Sequence, residues 1–409
     1  MLFNSQEFLL VFLPLTLILY FAFAGIETLR IWVLISASLF FYAYWDLRFL
    51  PLLIVSVMLN WLCSLLHASY KFRSILVAGV ALNLLIIGFF KYTNFIIGSV
   101  AATAGAVFAP WNIILPLGIS FFTFQQISYL VDLKRGAAPV YPFHKYLLYV
   151  TFFPQLIAGP IVRHDEIIGQ YSFDPMREGV YERLSKGFVL LFIGLFKKMI
   201  LADAVAKTAS FLFNDAATGN TLSFYGSWVA AAAYALQIYY DFSGYSDMAI
   251  GLGSMFGLSI PVNFNAPYLA VSIRDFWRRW HITLSRFLRD YLYIPMGGSR
   301  FGMPRQITAL MVTMLLGGLW HGAGWTFVIW GGLHGLALVV NHISEKTGVS
   351  LPTPFGWILT LLFVLFGWVI FRADNMGTAV SIIRSMVGLN GASFDLPDIM
   401  PPIRIFYYA

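Results

Sequence analysis

Charged residues are scarce in this chain of 409 residues. Only 11% of them are Asp, Glu, Lys or Arg, whereas 59% are hydrophobic. A soluble domain typically has about 25% charged residues, so the composition excludes an ordinary water-soluble fold. Apolar runs long enough to cross a bilayer, roughly 20 residues each, recur along the sequence. They predict an all-α polytopic membrane protein.

Cysteine is almost absent as well. The single cysteine, Cys63, excludes an intramolecular disulfide bond and a cysteine-based metal cluster. It lies in a hydrophobic run, where a lone thiol most often has a packing role. The sequence also contains no H-E-x-x-H zinc motif and no G-x-S-x-G nucleophile elbow. We therefore predict no metal site and no covalent Ser or Cys intermediate.

The apolar runs give twelve candidate spans. We expect two of them, 145–161 and 306–320, to be re-entrant segments or half-helices. The first span follows Glu7 and lacks a basic n-region, so we expect a retained helix and not a secretory signal. The spans are 8–24, 30–45, 50–66, 74–97, 112–131, 145–161, 185–203, 221–240, 245–259, 306–320, 323–341 and 355–371.

Positive charge is concentrated in one stretch, between Val271 and Arg305. It has seven arginines against two aspartates, which gives +5 of the net charge of +7. This pattern is typical of the cytoplasmic face and of contact with anionic headgroups. It also suits an anionic donor from the cytosol, whereas we expect no nucleic acid partner. The arginines are Arg274, Arg278, Arg279, Arg286, Arg289, Arg300 and Arg305.

The early loops indicate one orientation. Loops 67–73 and 132–145 are basic and are expected on the cytoplasmic side, and the uncharged loop 98–111 is expected outside. Counting back places the N-terminus outside. Segment 162–186 has four basic and five acidic residues, so its side stays unassigned.

Proline and glycine interrupt several spans. In a membrane, broken helices are tolerated where protein or a water-filled cavity covers the freed backbone groups. The interruptions therefore indicate either an internal chamber or kinking and close helix packing through small residues. They occur at Pro116 and Gly118, at Pro154 with Gly159 and Pro160, and at Gly317 and Gly318.

His321 lies in one of the most apolar parts of the chain, GGLWHGAGW. Ionisable residues inside a membrane suggest function by default, although a buried histidine bonded to a carbonyl is the structural alternative. Four glycines remove side chains around this imidazole, and Trp320 and Trp325 supply apolar walls. A desolvated imidazole near arginines is expected to be a neutral free base, as a general base requires. The glycines are Gly317, Gly318, Gly322 and Gly324.

Two further histidines lie in apolar surroundings. His281 follows Trp280 in RDFWRRWHITLSRFLRDYLYIPMGG, a stretch that reads as an interfacial amphipathic helix. A histidine on its apolar side favours a site role. His334 lies thirteen residues after His321, which on an unbroken helix faces roughly the opposite side, so we favour a structural role there. With no nucleophile in view, the remaining chemistry is a single histidine base acting on a bound acceptor, as in acyl transfer from a thioester.

Longer motifs in the chain resemble a known family. WRRWHITLSRFLRDYLYIPMGG (277–298) and TMLLGGLWHGAGWTFVIWGGLHG (313–335) are similar to the membrane-bound O-acyltransferase family, and within it to the bacterial alginate O-acetylation branch. The resemblance runs from residue 1 to about 375. Further matches are SFFTFQQISYLVD, FFPQLIAGPIVR, KKMILADAV, YYDFSGYSDMAIGLG and the opening MLFNSQEFLLVFLPL.

The resemblance implies a helical bundle of about 10–12 transmembrane or re-entrant helices around an intramembrane chamber. His321 matches the catalytic histidine of this family, and His281 matches its second signature histidine. For donor binding we predict Arg278, Arg279, Trp280 and Trp320. Relatives continue with further apolar segments after this region, whereas this chain ends at PPIRIFYYA. We therefore expect one domain over residues 1–409, which is either truncated at its C-terminus or a short variant of the family.

The resemblance also implies a function. We expect a multi-pass O-acyltransferase of the bacterial inner membrane that takes acetyl groups from cytoplasmic acetyl-CoA, with no bound cofactor. Periplasmic acetyltransferase partners would complete the transfer to hydroxyls of an extracytoplasmic polysaccharide, such as an alginate-like exopolysaccharide or a cell-wall glycan. Two alternatives stay open: D-alanyl transfer from a carrier-protein thioester, and a non-catalytic scaffold that conducts acyl groups.

Overall fold

The computed structural model describes residues 1–349, 351–391 and 393. Within these residues the chain forms eighteen α-helices with short π and 3₁₀ turns, and it forms no β-strand. The predicted all-α class is therefore confirmed. The terminal sequence PPIRIFYYA, on which the expected truncation was based, lies outside the described residues. The single domain over residues 1–409 stays a prediction.

The chain divides into two compact units, of which the first comprises Met1–Gly194 and Tyr245–Val262. A π turn, Phe8–Phe12, leads into its first helix. Its helices are α1 (Leu13–Ala22), α2 (Glu27–Ala43), α3 (Leu50–Tyr70), α4 (Arg73–Ile87), α5 (Thr93–Thr103), α6 (Ile119–Lys134), α7 (Phe143–Thr151), α8 (Phe153–Leu156), α9 (His164–Ile167) and α10 (Val180–Leu195), with the second part of α12 (Phe224–Met255).

The second unit comprises Leu195–Gly244 and the residues from Asn263 onward. Its hydrophobic core is rich in tryptophan, with Trp277, Trp280, Trp330 and Trp368 all buried. Its helices are α11 (Asp203–Ala217), the first part of α12, α13 (Ile273–Arg279), α14 (Ile282–Leu288), α15 (Met303–His321), α16 (Trp325–Lys346), α17 (Thr353–Arg372) and α18 (Met376–Met386).

Four helical stretches are long and apolar enough to cross a membrane: Leu47–Tyr70, Arg73–Thr103, Trp325–Lys346 and Thr353–Arg372. The shorter helix Phe8–Ala22 is also apolar. These helices agree with the predicted multi-pass membrane protein, and they match the spans expected at 50–66, 74–97, 323–341 and 355–371.

Two predicted spans, 221–240 and 245–259, are one helix in the structure. Helix α12 runs without interruption through Gly244. The stretch Phe224–Met255 contains no proline, and a single glycine costs only about 1 kcal/mol relative to alanine in a helix. A glycine in a stretch without proline therefore does not indicate a helix boundary here.

The two predicted half-helices differ from each other. Span 145–161 is broken as expected, because α7 ends at Thr151, α8 has four residues, and the chain leaves the helix before Arg163. Span 306–320 is not broken, because α15 continues through Gly317 and Gly318. The two glycines therefore do not mark a break.

A buried polar cluster in the first unit is centred on His164. This histidine begins α9, and only 1% of its surface is exposed. Its Nε2 lies 3.2 Å from Asp132 Oδ2, and the Tyr141 hydroxyl lies 3.0 Å from its Nδ1. Arg163 donates to the same Asp132 oxygen at 3.1 Å. The cluster joins α6 to the segment that begins α9.

Helices α15 and α16 form an antiparallel pair whose backbones touch. A Cβ atom on Gly331 would collide with the Met314 carbonyl and lie 3.0 Å from the Gly318 Cα atom. Small residues on both helices allow this close approach. At Gly318, the alternative of close helix packing is therefore the correct one.

We predict that Gly331→Ala lowers the melting temperature of the detergent-solubilised protein. The new methyl group would push α15 and α16 apart, and such overpacking typically costs about 1–3 kcal/mol. Gly332→Ala is the matched control, because its Cβ would lie 3.4 Å from Leu315 Cδ2, an ordinary contact. Equal melting temperatures for both variants would contradict the close contact.

Candidate active site

His281 lies at a break between two short helices. Helix α13 ends at Arg279, and His281 has φ +43°, in the left-handed region, before α14 begins at Ile282. A single amphipathic helix through this stretch was therefore a wrong expectation. Two backbone hydrogen bonds brace the break: Asn265 N–H donates to Arg279 O at 2.9 Å, and Ile282 N–H donates to Asn263 O at 3.0 Å. Strained backbone of this kind is often found at functional sites.

The His281 side chain is completely buried. Its Nδ1 lies 3.1 Å from Asn263 Oδ1, and its ring packs edge-on against Phe242 with centroids 4.7 Å apart. The Trp320 ring is 6.0 Å away and the His321 ring 6.5 Å. The structure thus brings together the two histidines that the sequence singled out, although forty residues separate them.

His321 is the last residue of α15, and part of its surface is exposed. Three aromatic rings surround its imidazole: Trp320 at 4.9 Å, Trp330 at 5.3 Å and Phe371 at 5.3 Å. The imidazole is therefore held between aromatic side chains while one part stays accessible. A general base needs this combination, because it must be fixed and reachable.

Two of the four glycines around His321, Gly318 and Gly322, make room for neighbouring protein atoms. A Cβ on Gly322 would collide with the Phe327 ring, and one on Gly318 would collide with the Phe327 carbonyl. Phe327 in turn packs edge-on against Phe371 at 4.9 Å, and Phe371 contacts His321. At these two positions the absence of a side chain allows Phe327 to pack next to the imidazole and against Phe371.

His334 belongs to the same aromatic cluster. The chain leaves the helix at residues 322–324, so the argument from an unbroken helix does not apply. Trp277 Nε1–H donates to His334 Nδ1 at 3.2 Å, and the Trp330 ring lies 4.6 Å from His334. Trp330 therefore contacts both His321 and His334. The structural role favoured for His334 stays a prediction.

An open basic groove lies beside this cluster. It has a volume of about 880 Å³ and lies between α13, α14, α15 and α16. Trp277 lines it, and its ring is 5.8 Å from Trp330, which contacts His321. An aromatic wall thus leads from the groove to the imidazole. The arginine, lysine, histidine and glutamate residues that line it are Arg274, Arg278, Arg286, Arg289, His342, Glu345 and Lys346.

The four predicted donor-binding residues lie in different places. Arg278 lines the groove, whereas Arg279 does not and donates to Asp275 Oδ1 at 2.9 Å. Trp280 is buried in an aromatic cluster, stacked on Phe276 with centroids 5.7 Å apart. Trp320 contacts His321 and His281. Only Arg278 is thus placed for direct contact with a ligand in the groove.

Sequence reasoning gave no role to Asn263, Trp330 or Phe371. Asn263 stands in a short irregular segment, PVNFNAPY, that has no periodic pattern. Trp330 and Phe371 lie in apolar helices that contain many aromatic residues. Arg286 and Arg289 were part of the basic stretch, so a signal for them existed, but their shared groove depends on the helix break at His281.

Comparisons with known proteins agree with this geometry. Residues 127–377, more than half of the chain, match the family model for the membrane-bound O-acyltransferase family. The matched region includes both histidines and the groove.

Curated relatives extend the match over most of the chain. A peptidoglycan O-acetyltransferase of Helicobacter pylori is 42% identical, over 96% of this chain and 81% of its own. A probable alginate O-acetylase of Azotobacter vinelandii is 40% identical, over 94% and 78%. A teichoic acid D-alanyltransferase of Bacillus subtilis is 30% identical, over 64% and 70%. The chain is therefore an acyltransferase and belongs to the membrane-bound O-acyltransferase family.

Proposed function

We propose that this protein is an O-acetyltransferase of the bacterial inner membrane. It takes acetyl groups from acetyl-CoA on the cytoplasmic side and delivers them toward hydroxyls of an extracytoplasmic polysaccharide, with periplasmic partner proteins. The observation that carries the proposal is the pair of imidazoles, His321 and His281, with ring centroids 6.5 Å apart at the end of an aromatic wall that begins in a basic groove.

The groove supports a donor with several phosphate groups. Four arginines and Lys346 line it, together with the carboxylate of Glu345, which pairs with Arg274. Arginine binds phosphate through several donors at once. CoA has a diphosphate and a further phosphate on its ribose, whereas the arm of a carrier protein has one phosphodiester. The number of cations therefore favours acetyl-CoA over a carrier-protein thioester.

The distance from the groove to His321 suits a thin flexible arm. The groove lining follows α15 from Gln306 to Met314. Met314 is seven residues from His321, a rise of about 10 Å along the helix. A pantetheine arm can extend over this distance, while the nucleotide stays among the arginines. The thioester carbonyl would then lie beside the imidazole.

The chemical step requires one base. The acceptor hydroxyl attacks the thioester carbonyl while His321 removes its proton. A C–O bond forms, the C–S bond breaks, and the proton passes from His321 to the thiolate, which leaves as free CoA. His281 orients the donor or stabilises the developing charge. The protein supplies position and a dry site, and the thioester supplies the activation.

The proposed acceptor is inferred from the relatives, and the proposed direction of acetyl transfer across the membrane is inferred from the length of α15. The two O-acetyltransferases named above act, by their names, on peptidoglycan and alginate, so a cell-wall glycan or exopolysaccharide is the proposed final acceptor. From Met303 to His321 the helix rises about 27 Å, close to the roughly 30 Å hydrocarbon core. With the basic stretch on the cytoplasmic side, His321 lies toward the opposite face, where an outside acceptor arrives.

Two alternatives make different predictions. In D-alanyl transfer, the donor is a carrier protein, so membranes would require that carrier and would not respond to acetyl-CoA. In a non-catalytic scaffold, the acyl group is transferred elsewhere, so loss of His321 would leave acetylation intact.

We predict that His321→Ala lowers acetylation of the polymer by roughly 10²-fold or more, the usual contribution of a general base. Radiolabelled acetyl-CoA and membranes with matched amounts of enzyme would measure it. His67→Ala is the control, because His67 lies in the last turn of α3, in the first unit. Undiminished acetylation by the His321 variant would favour the scaffold.

Two adjacent arginines allow a test of whether the groove binds the acyl donor. Arg278→Gln should raise KM for acetyl-CoA by about tenfold with little change in kcat, because the groove loses a phosphate contact, and a charged hydrogen bond contributes about 1.5–3 kcal/mol. Arg279→Gln is the matched control, because Arg279 pairs with Asp275 outside the groove. Equal effects of both substitutions would place the donor elsewhere.

A further inference from the structure

One asparagine oxygen determines the hydrogen bonding of His281. Asn263 Oδ1 lies 3.1 Å from His281 Nδ1, and both residues are completely buried. The same oxygen accepts the Thr283 backbone N–H at 3.2 Å and the Thr283 hydroxyl at 2.9 Å. A backbone N–H can only donate, so the Asn263 atom at this point is the oxygen and not the amide nitrogen.

This contact fixes the proton on His281. Because Asn263 Oδ1 can only accept, His281 Nδ1 carries the proton and donates it. In a neutral imidazole the other nitrogen, Nε2, then has a lone pair. Within the described part of the chain, Nε2 is buried and has no hydrogen-bond partner. His281 therefore offers the site an acceptor and not an N–H donor.

The neighbouring histidine does not use this acceptor. A direct hydrogen bond between ring nitrogens, about 3 Å long, would bring the two centroids closer than the observed 6.5 Å. The other rings around His281 belong to Phe242 and Trp320. A buried acceptor without a partner is costly, and a substrate group that donates a hydrogen bond would remove this cost.

We propose that Asn263 is a positioning residue that fixes the His281 tautomer, so that Nε2 accepts the amide N–H of a pantetheine thioester. The inference rests on the proposed function and narrows it: neutral His281 orients the donor and does not stabilise an oxyanion, because its one proton is held by Asn263. The acceptor hydroxyl has a single proton, which His321 removes, so the group left for His281 is on the donor. Pantetheine has secondary amides close to its thioester, whether it comes from CoA or from a carrier protein.

Two short donors test the contact directly. S-acetyl-N-acetylcysteamine retains the amide nearest the thioester, and its ester analogue has oxygen in place of that N–H. The wild-type enzyme should prefer the amide by about tenfold in kcat/KM, as expected for one hydrogen bond. Asn263→Leu frees His281 to adopt either tautomer, so this preference should fall to about two-fold or less. A general loss of folded enzyme lowers both rates and leaves their ratio unchanged.

Three variants make the outcome decisive. Asn263→Asp should keep the preference, because a carboxylate oxygen accepts the same three donors. Asn265→Leu is the matched control, an exposed asparagine two residues along the same segment. The double variant His281→Ala, Asn263→Leu should match His281→Ala alone. An unchanged preference in Asn263→Leu, or loss of preference in Asn263→Asp, would overturn the proposal.

Failure of the proposed function is distinguishable from failure of this inference. If wild-type enzyme transfers acetyl from neither CoA nor the short donors, the proposed function is wrong. The tautomer can then still be read from the ¹⁵N spectrum of protein with labelled histidine rings, with His281→Ala to assign the signal. A proton on Nδ1 in wild type that is lost from this position in Asn263→Leu supports the inference, and a proton on Nε2 in wild type refutes it.

Discussion

The contact between the α15 and α16 backbones at Gly318 and Gly331 is the constraint on which the site depends. Because no side chain separates the helices there, Trp330 lies close enough to touch the imidazole at the end of α15. Phe371 of α17 closes against the same ring. A wider helix pair would leave His321 loosely held. Fixed geometry matters more than any single contact, since misplacement by about 1 Å can cost a factor of 10² in rate.

The basic groove and the two imidazoles lie in different surroundings. The groove has most of its charge on arginines and is open, so its cations keep part of their hydration and attract anions over a distance. The imidazoles lie among aromatic rings, and apolar surroundings of this kind would protect the proposed thioester from hydrolysis. Trp277 belongs to both regions, because it lines the groove and donates to His334. On the proposed function, donor binding and reaction take place in adjoining but different surroundings.

Composition and spacing predicted the fold class and one residue of the candidate site. Few charges and repeated apolar runs were enough for an all-α membrane protein, and the isolated imidazole of His321 in an apolar segment was enough to select it. The pairing of His321 with His281 came from family resemblance. Sequence could not show that α12 is one helix, because glycine both breaks helices and packs them. Nor could it show the bond from Asn263 to His281, which depends on a positive φ at one residue and on no periodic pattern.

The glycines next to His321 illustrate the same limit. Their number suggested open space, and the structure fills that space with Phe327. A glycine in the sequence indicates that other atoms approach the backbone closely. Which atoms these are depends on the three-dimensional fold.

The gap of seven residues between Met314 and His321 has a metabolic consequence. On the proposed donor, the nucleotide is bound at one end of this gap and the acetyl group reacts at the other. Spent CoA keeps every phosphate, so the arginines hold it about as firmly as the loaded form. The groove would then bind acetyl-CoA and free CoA with similar affinity. Flux through the enzyme would follow the ratio of acetyl-CoA to free CoA in the cytoplasm, and surface modification would slow when acetyl units run short.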